Sequence, residues 1–169
     1  MDLSTDNKEK NLKRIKNAIL VMSGKGGVGK STVAVNLARA LNVSGKKVGI
    51  MDIDIHGPSV AKMLDVEKEN LSQTPTGFLA PVKVSENFYA ASVAFLLETD
   101  CTPVIWRGPM KSNFITQMLD SFAWPELDYL IIDCPPGTGD EHMTIIQAIE
   151  KVTGAVIVTT PQHLACLDV

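Results

Sequence analysis

The feature that most constrains this chain is the run Gly24-Lys25-Gly26-Gly27-Val28-Gly29-Lys30-Ser31, which satisfies the spacing G-x-x-x-x-G-K-[ST]. That spacing carries meaning in one context: it must leave a strand and open a helix. Residues 18–23 (AILVMS) form a short apolar run that reads as the strand. Residues 32–43 read as the helix, with Val33, Leu37 and Leu41 at i, i+4 and i+8 and Gly45 where a helix ends. Glycines let successive backbone N–H groups turn inward as an anion nest, and the helix adds the positive end of its dipole. The run is therefore a phosphate cradle for Mg-ATP. Gly24, Lys25, Gly26, Gly27, Val28, Gly29, Lys30, Ser31 and Thr32 are its binding positions. Lys30 is expected at the β- and γ-phosphates, the Ser31 hydroxyl on Mg²⁺, and Thr32 near the α-phosphate.

The same alternation continues along the chain. Residues 48–53, 129–133 and 155–159 are further short apolar runs bounded by Gly, Pro or Asp, which read as buried parallel strands. Residues 112–122 and 141–150 carry helical spacing, and 78–94 read as two short strands about a Ser-Glu-Asn turn. The fold class expected is α/β of the P-loop NTPase kind, an open, mostly parallel sheet with helices on both faces. The chain divides into a polar leader, 1–17, and a nucleotide-binding domain, 18–169. Its last residues, Asp168-Val169, fall where a helix is set to begin, so the domain is read as incomplete at that end.

Two more segments gather acids at the carboxyl ends of predicted strands, where open α/β sheets bind ligands. Met51-Asp52-Ile53-Asp54 places two carboxylates on one side of its strand. One carboxylate there suits an attacking water, the other suits Mg²⁺ through water; a hydrogen-bonded loop cap is the plainer alternative. Leu130-Ile131-Ile132-Asp133 reads as a Walker B strand, three apolar positions closing on an acid that is expected to reach Mg²⁺ through water. The loop that follows, Cys134 to Asp140, is stiffened by Pro135 and Pro136, and its Gly137 N–H is placed to meet the γ-phosphate and sense ATP against ADP. Asp140 is equally a helix N-cap.

Other features are bounded more by exclusion. A net charge of −3 argues against nonspecific nucleic-acid binding. Cys101, Cys134 and Cys166 are odd in number and lack C-x-x-C spacing, so neither a disulfide framework nor a metal or cluster site is visible. Cys134 reads as a small buried residue rather than a nucleophile. His56, His142 and His163 show no metal-ligand spacing. Residues 6–16 carry five Lys or Arg around Leu12 and Ile15, a solvated leader with too little apolar surface to hold a membrane. With no signal peptide and no long apolar run, a cytoplasmic protein is expected.

The second lysine of the cradle, Lys25, resembles the deviant Walker A motif of the MinD/ParA superfamily. There this lysine crosses a dimer interface to the partner's nucleotide, which implies a homodimer and a catalytic Lys25 acting in trans. By the same resemblance Asp54 is the residue for the water and Asp52 its support. Asp52-Ile53-Asp54-Ile55-His56-Gly57-Pro58-Ser59, Trp106-Arg107-Gly108-Pro109-Met110, Asp128 to Asp140 and Thr159-Thr160-Pro161-Gln162 are similar to stretches of the Mrp family of iron–sulfur cluster carrier ATPases. The resemblance runs from about residue 15 onward. It implies slow ATP hydrolysis, a [4Fe–4S] cluster and apo iron–sulfur proteins as recipients. The family's C-x-x-C pair has no counterpart among these residues, so no cluster ligand is assigned. A ParA- or MinD-type positioning ATPase, or a regulatory nucleotide-binding form without a cluster, are the other readings.

Overall fold

The structure is a computed structural model, and it describes residues 14–55, 57–97, 108–137, 139–149 and 151–161. Six strands form one sheet: β1 (Ala18–Met22), β2 (Val48–Asp52), β3 (Val82–Ser85), β4 (Phe88–Ser92), β5 (Tyr129–Asp133) and β6 (Val152–Ile157). Their order is β3-β4-β2-β5-β1-β6. The four pairings among β4, β2, β5, β1 and β6 are parallel, and the hairpin strand β3 is antiparallel to β4. Five helices are described: α1 (Lys30–Val43), α2 (Val60–Met63), α3 (Ala94–Leu97), α4 (Gly108–Ser121) and α5 (Asp140–Ala148).

Strand side chains alternate between faces, and the apolar runs supply both. Val21, Ile50, Ala90 and Ile131 pack on one face with Ala34, Val35 and Ala38 of α1 and Val60 and Ala61 of α2. Leu20, Met51, Ala91 and Ile132 pack on the other, with Ile115, Met118 and Leu119 of α4, Ile145 of α5, and Phe122 and Trp124. Every residue of β2 is buried, as a strand covered on both sides must be. Gly49 is required in that strand: a methyl there would stand 2.7 Å from Leu127 Cδ1 and 2.8 Å from Trp124 Cζ3.

Helix α1 ends where Gly45 takes φ +85°, its N–H donating to Asn42 O while Lys46 N donates to Leu41 O, so the last turn is closed by a left-handed glycine. The leader expected over 1–17 stops short of that boundary. Ile15 bridges Leu127, Lys16 N donates to Leu127 O, and Lys16 Nζ reaches Asp128 at 2.7 Å. Residues 14–17 thus prolong β1 along β5, because Ile15 has core surface to cover.

Candidate functional site

In the sheet order β2, β5 and β1 are neighbours, so the three loops leaving their carboxyl ends converge. Register partners Asp52 and Asp133 close β2 and β5, and Val21 of β1 stands beside Asp133. Between these loops lies a cleft of about 440 Å³, lined by Ser23, Gly26, Gly27, Gly29, Lys30, Ser31, Thr32, Asp54, Gly57, Ser59, Met63 and Pro136.

The cradle is formed as its sequence requires. Gly27 and Gly29 take φ of +79° and +92°, open to glycine and strained for other residues, and a Cβ at Gly26, Gly27 or Gly29 would meet nothing within 4 Å. Gly29 caps α1 without a side-chain hydrogen bond, and no acid stands in the helix's first turn. The Val33 N–H donates to Gly29 O, so the N–H groups at the helix start precede the intrahelical ladder, where an anion would be favoured.

Lys30 is the centre of charge. It is buried, and its Nζ lies 2.7 Å from Asp133 Oδ1, 3.5 Å from Ser31 Oγ and 3.8 Å from Asp54 Oδ2. Asp133 is fully buried, and its Oδ2 has no hydrogen-bond partner. Burial raises its carboxyl above the usual range, against the pull of Lys30. Asp54 is held through Oδ1 by Gly57 N at 3.3 Å.

Two buried carboxylates, Asp54 and Asp133, against the one Lys30 ammonium leave an excess of negative charge, which a divalent cation would offset. Among the described residues no three His, Cys, Asp or Glu side chains form a cage for a metal. The Ser31 hydroxyl and the Asp133 carboxylate are oxygen donors of the kind Mg²⁺ takes, and the open glycine cradle fits phosphates.

Asp52 stands apart from the cleft lining. Its Oδ1 accepts from Asp54 N at 3.1 Å, and its Oδ2 accepts from Ser59 N at 3.0 Å, Val60 N at 3.1 Å and the Ser92 hydroxyl at 3.3 Å. Burial, with the Asp133 carboxylate beside it, pushes the Asp52 carboxyl up to about 6. The observed contacts of Asp52 make it a loop brace. Gly137, expected at a γ-phosphate, has φ +105° and donates its N–H to Ser23 O at 2.8 Å. It therefore ties the loop after β5 to the residue that precedes the cradle.

Lys25 is exposed and does not line the cleft; Gly24 and Val28 support the cradle without lining it. Cys134 is buried, and burial pushes its thiol up to about 12, which favours the neutral thiol. His142 is buried, and neither ring nitrogen has a partner. His56, His163, Cys101, Cys166, Trp106, Arg107, Thr138 and Gln162 lie outside the described residues. The sequence reading missed Ser23, Met63 and Pro136 as lining residues, and Ser92 as a neighbour of Asp52. Ser92 had one signal, its place at a strand's carboxyl end; Met63 had none.

A family model described as ParA: NUBPL iron-transfer P-loop NTPase matches residues 14–169. The chain is similar to the iron–sulfur cluster carrier protein of Methanocaldococcus jannaschii, 54% identical over 159 residues, covering 94% of this chain and 54% of that protein. It is 52% identical over 162 residues to a cytosolic Fe-S cluster assembly factor NUBP1 homolog of Brugia malayi, covering 94% of this chain and 52% of that protein. It thus spans about half the length of these relatives. Among solved structures it resembles a nucleotide-binding protein in complex with ADP from Archaeoglobus fulgidus, with TM-score 0.78 and 39% identity, covering 96% of this chain and 63% of the other.

Proposed function

This chain belongs to the ParA family of NUBPL iron-transfer P-loop NTPases, and from that premise we propose that it binds and hydrolyses Mg-ATP as the nucleotide-binding part of an iron–sulfur cluster carrier. The observation that carries the reading is Lys30: a buried ammonium, held 2.7 Å from Asp133 at the floor of a glycine cradle. A buried lysine beside an uncapped helix start is a phosphate receptor, and its carboxylate partner holds it in place until the phosphates arrive. Lys30 would offer its charge to the β- and γ-phosphates, and the Ser31 hydroxyl, with Asp133 through water, would hold Mg²⁺. Bound Mg²⁺ supplies neutralisation of charge on the transferring phosphoryl group. Thr32, which lines the cleft, takes the α-phosphate end.

Asp54 orients the attacking water, with its carboxylate 3.8 Å from Lys30, and Asp52 supports it by holding its loop. Any part of Asp52 in Mg²⁺ binding is through water and through that loop. The Gly137 N–H exchanges Ser23 O for the γ-phosphate, which makes the loop after β5 the element that distinguishes ATP from ADP. Lys25, exposed beside its own cleft, serves a second copy of the chain in a homodimer.

The cargo, a [4Fe–4S] cluster delivered to apo iron–sulfur proteins, is a proposal from the names of the relatives, and its ligands are assigned to no residue of this chain. A cytosolic setting follows the name of the Brugia malayi relative. Among the described residues no helix is long and apolar enough to cross a membrane. The test is a hydrolysis assay on Asp54→Ala and Lys25→Ala, alone and mixed, with Mg-ATP affinity measured by calorimetry. Each variant alone is expected to bind Mg-ATP and fail to turn it over. Mixing restores part of the activity, because a mixed dimer holds one site with Asp54 and a Lys25 from across the interface. Wild-type turnover by Asp54→Ala would refute its role, and heterodimers without recovery would refute action in trans.

A further inference from the structure

We propose that Ser92 is a positioning residue for hydrolysis: it holds Asp52 so that the loop from Asp54 to Val60 keeps the Asp54 carboxylate beside Lys30. The proposal rests on the hydrolytic reading above. Ser92 closes β4 as the register partner of Asp52, and it is fully buried. Its Oγ accepts from Ala94 N at 3.1 Å and lies 3.3 Å from Asp52 Oδ2. Since the backbone N–H occupies the hydroxyl as an acceptor, its one proton is directed to the carboxylate. A second tie runs parallel to it, from Val93 N to the Asp52 carbonyl at 3.2 Å.

Asp52 in turn fastens the loop at both ends, through Asp54 N on one oxygen and Ser59 N and Val60 N on the other. Asp54, at the first fastening, and Gly57, between the two, both line the cleft. Ser92 is fully buried and is not among the residues that line the cleft. Its effect is exerted through the orientation of Asp52. A carboxylate that has lost its side-chain donor keeps three backbone N–H donors but loses its side-chain tie to β4, so its orientation and both loop fastenings loosen. Charge-assisted hydrogen bonds of this kind are the stronger ones, and a fully buried network transmits their loss to every member.

The experiment compares wild type, Ser92→Ala and Ser92→Thr as the 169-residue chain. Single-turnover hydrolysis and calorimetric Mg-ATP affinity are measured on each, and amide hydrogen exchange is followed without nucleotide. Ser92→Ala is expected to hydrolyse about tenfold more slowly, with affinity within about twofold of wild type. Ser92→Thr keeps the hydroxyl and is expected to recover to within about threefold. In Ser92→Ala the amides of Asp54, Ser59 and Val60 exchange about tenfold faster, while those of β1 and β5 do not change. An unchanged rate in Ser92→Ala overturns the proposal. So does a parallel loss of rate, affinity and protection everywhere, which is plain destabilisation. Wild-type turnover no faster than that of Lys30→Ala counts against the hydrolytic reading instead. The exchange measurement then decides alone, and unchanged exchange at Asp54, Ser59 and Val60 overturns the brace.

Discussion

Replacing Asp52 by asparagine should remove a pH dependence of stability that this one carboxyl creates. In the unfolded chain it releases its proton near 3.8, and in the fold it keeps it until about 6. Between those values the native state binds the extra proton, so the group's contribution is most favourable below 3.8 and is lost as pH rises through about 6. Two units at 1.36 kcal/mol each make the full loss about 3 kcal/mol, of which about 2 kcal/mol falls between roughly pH 4.5 and 7. Asparagine has its own constant cost. Its carbonyl can replace Oδ2 towards Ser59 N, Val60 N and Ser92, but its amide then faces Asp54 N, donor against donor. That cost does not vary with pH, so the slope and not the offset is the measure. Urea unfolding of both proteins at about pH 4.5 and 7 gives it. The stability gap between wild type and Asp52→Asn should shift by about 2 kcal/mol in favour of Asp52→Asn on going to the higher pH, roughly 1 M in midpoint. A gap that stays within about 0.5 kcal/mol across that interval would refute the reasoning.

Three further outcomes follow from the packing and charge already described. Lys30→Ala should abolish Mg-ATP binding and also lower stability by about 3–5 kcal/mol, because Asp133 is left buried and unpaired; in Lys30→Ala/Asp133→Asn the stability should return and the binding should not, as calorimetry and thermal unfolding would show. Gly49→Ala should destabilise by about 1–3 kcal/mol through contact with Leu127 and Trp124, with nucleotide affinity unchanged, as denaturant unfolding and titration would show. Anaerobic reconstitution of the 169-residue chain should yield no stable [4Fe–4S] cluster, since Cys134 is buried with its thiol pushed up to about 12; stoichiometric iron and sulfide surviving desalting would overturn this.

The backbone of the Gly24–Ser31 run was readable from sequence because the left-handed conformation at Gly27 and Gly29 is a local demand that glycine answers. Central strands were readable for the same reason, as β2 and β5 are apolar on both faces and short. Edges were less so. Strand β6 begins at Val152 and not at 155, because Thr153 and Gly154 hide its start in a polar, flexible pair. Helix α4 begins at Gly108, four residues before its apolar spacing shows, because Pro109 reads as a breaker although a first helical turn accepts it. The contacts of Asp52 with Ser92 were beyond reach of any local rule. They join residues 40 apart and exist only once β2 and β4 have chosen their register.

That register has a further consequence. Asp52 and Asp133 are direct partners on adjoining parallel strands, so the spacing of the two carboxylates is a ruler set by the ladder rather than by any loop. A slip of one residue would bring Ile53 or Cys134 to the place of an acid and turn each strand's side chains to the opposite face. The strands are apolar on both faces, so burial alone penalises such a slip weakly. The buried acids penalise it strongly, since a displaced carboxylate would lose Lys30 or the loop N–H groups. The residues proposed for chemistry thereby also act as the alignment marks of the sheet, and a chain folded one notch out would be detected by its own charges.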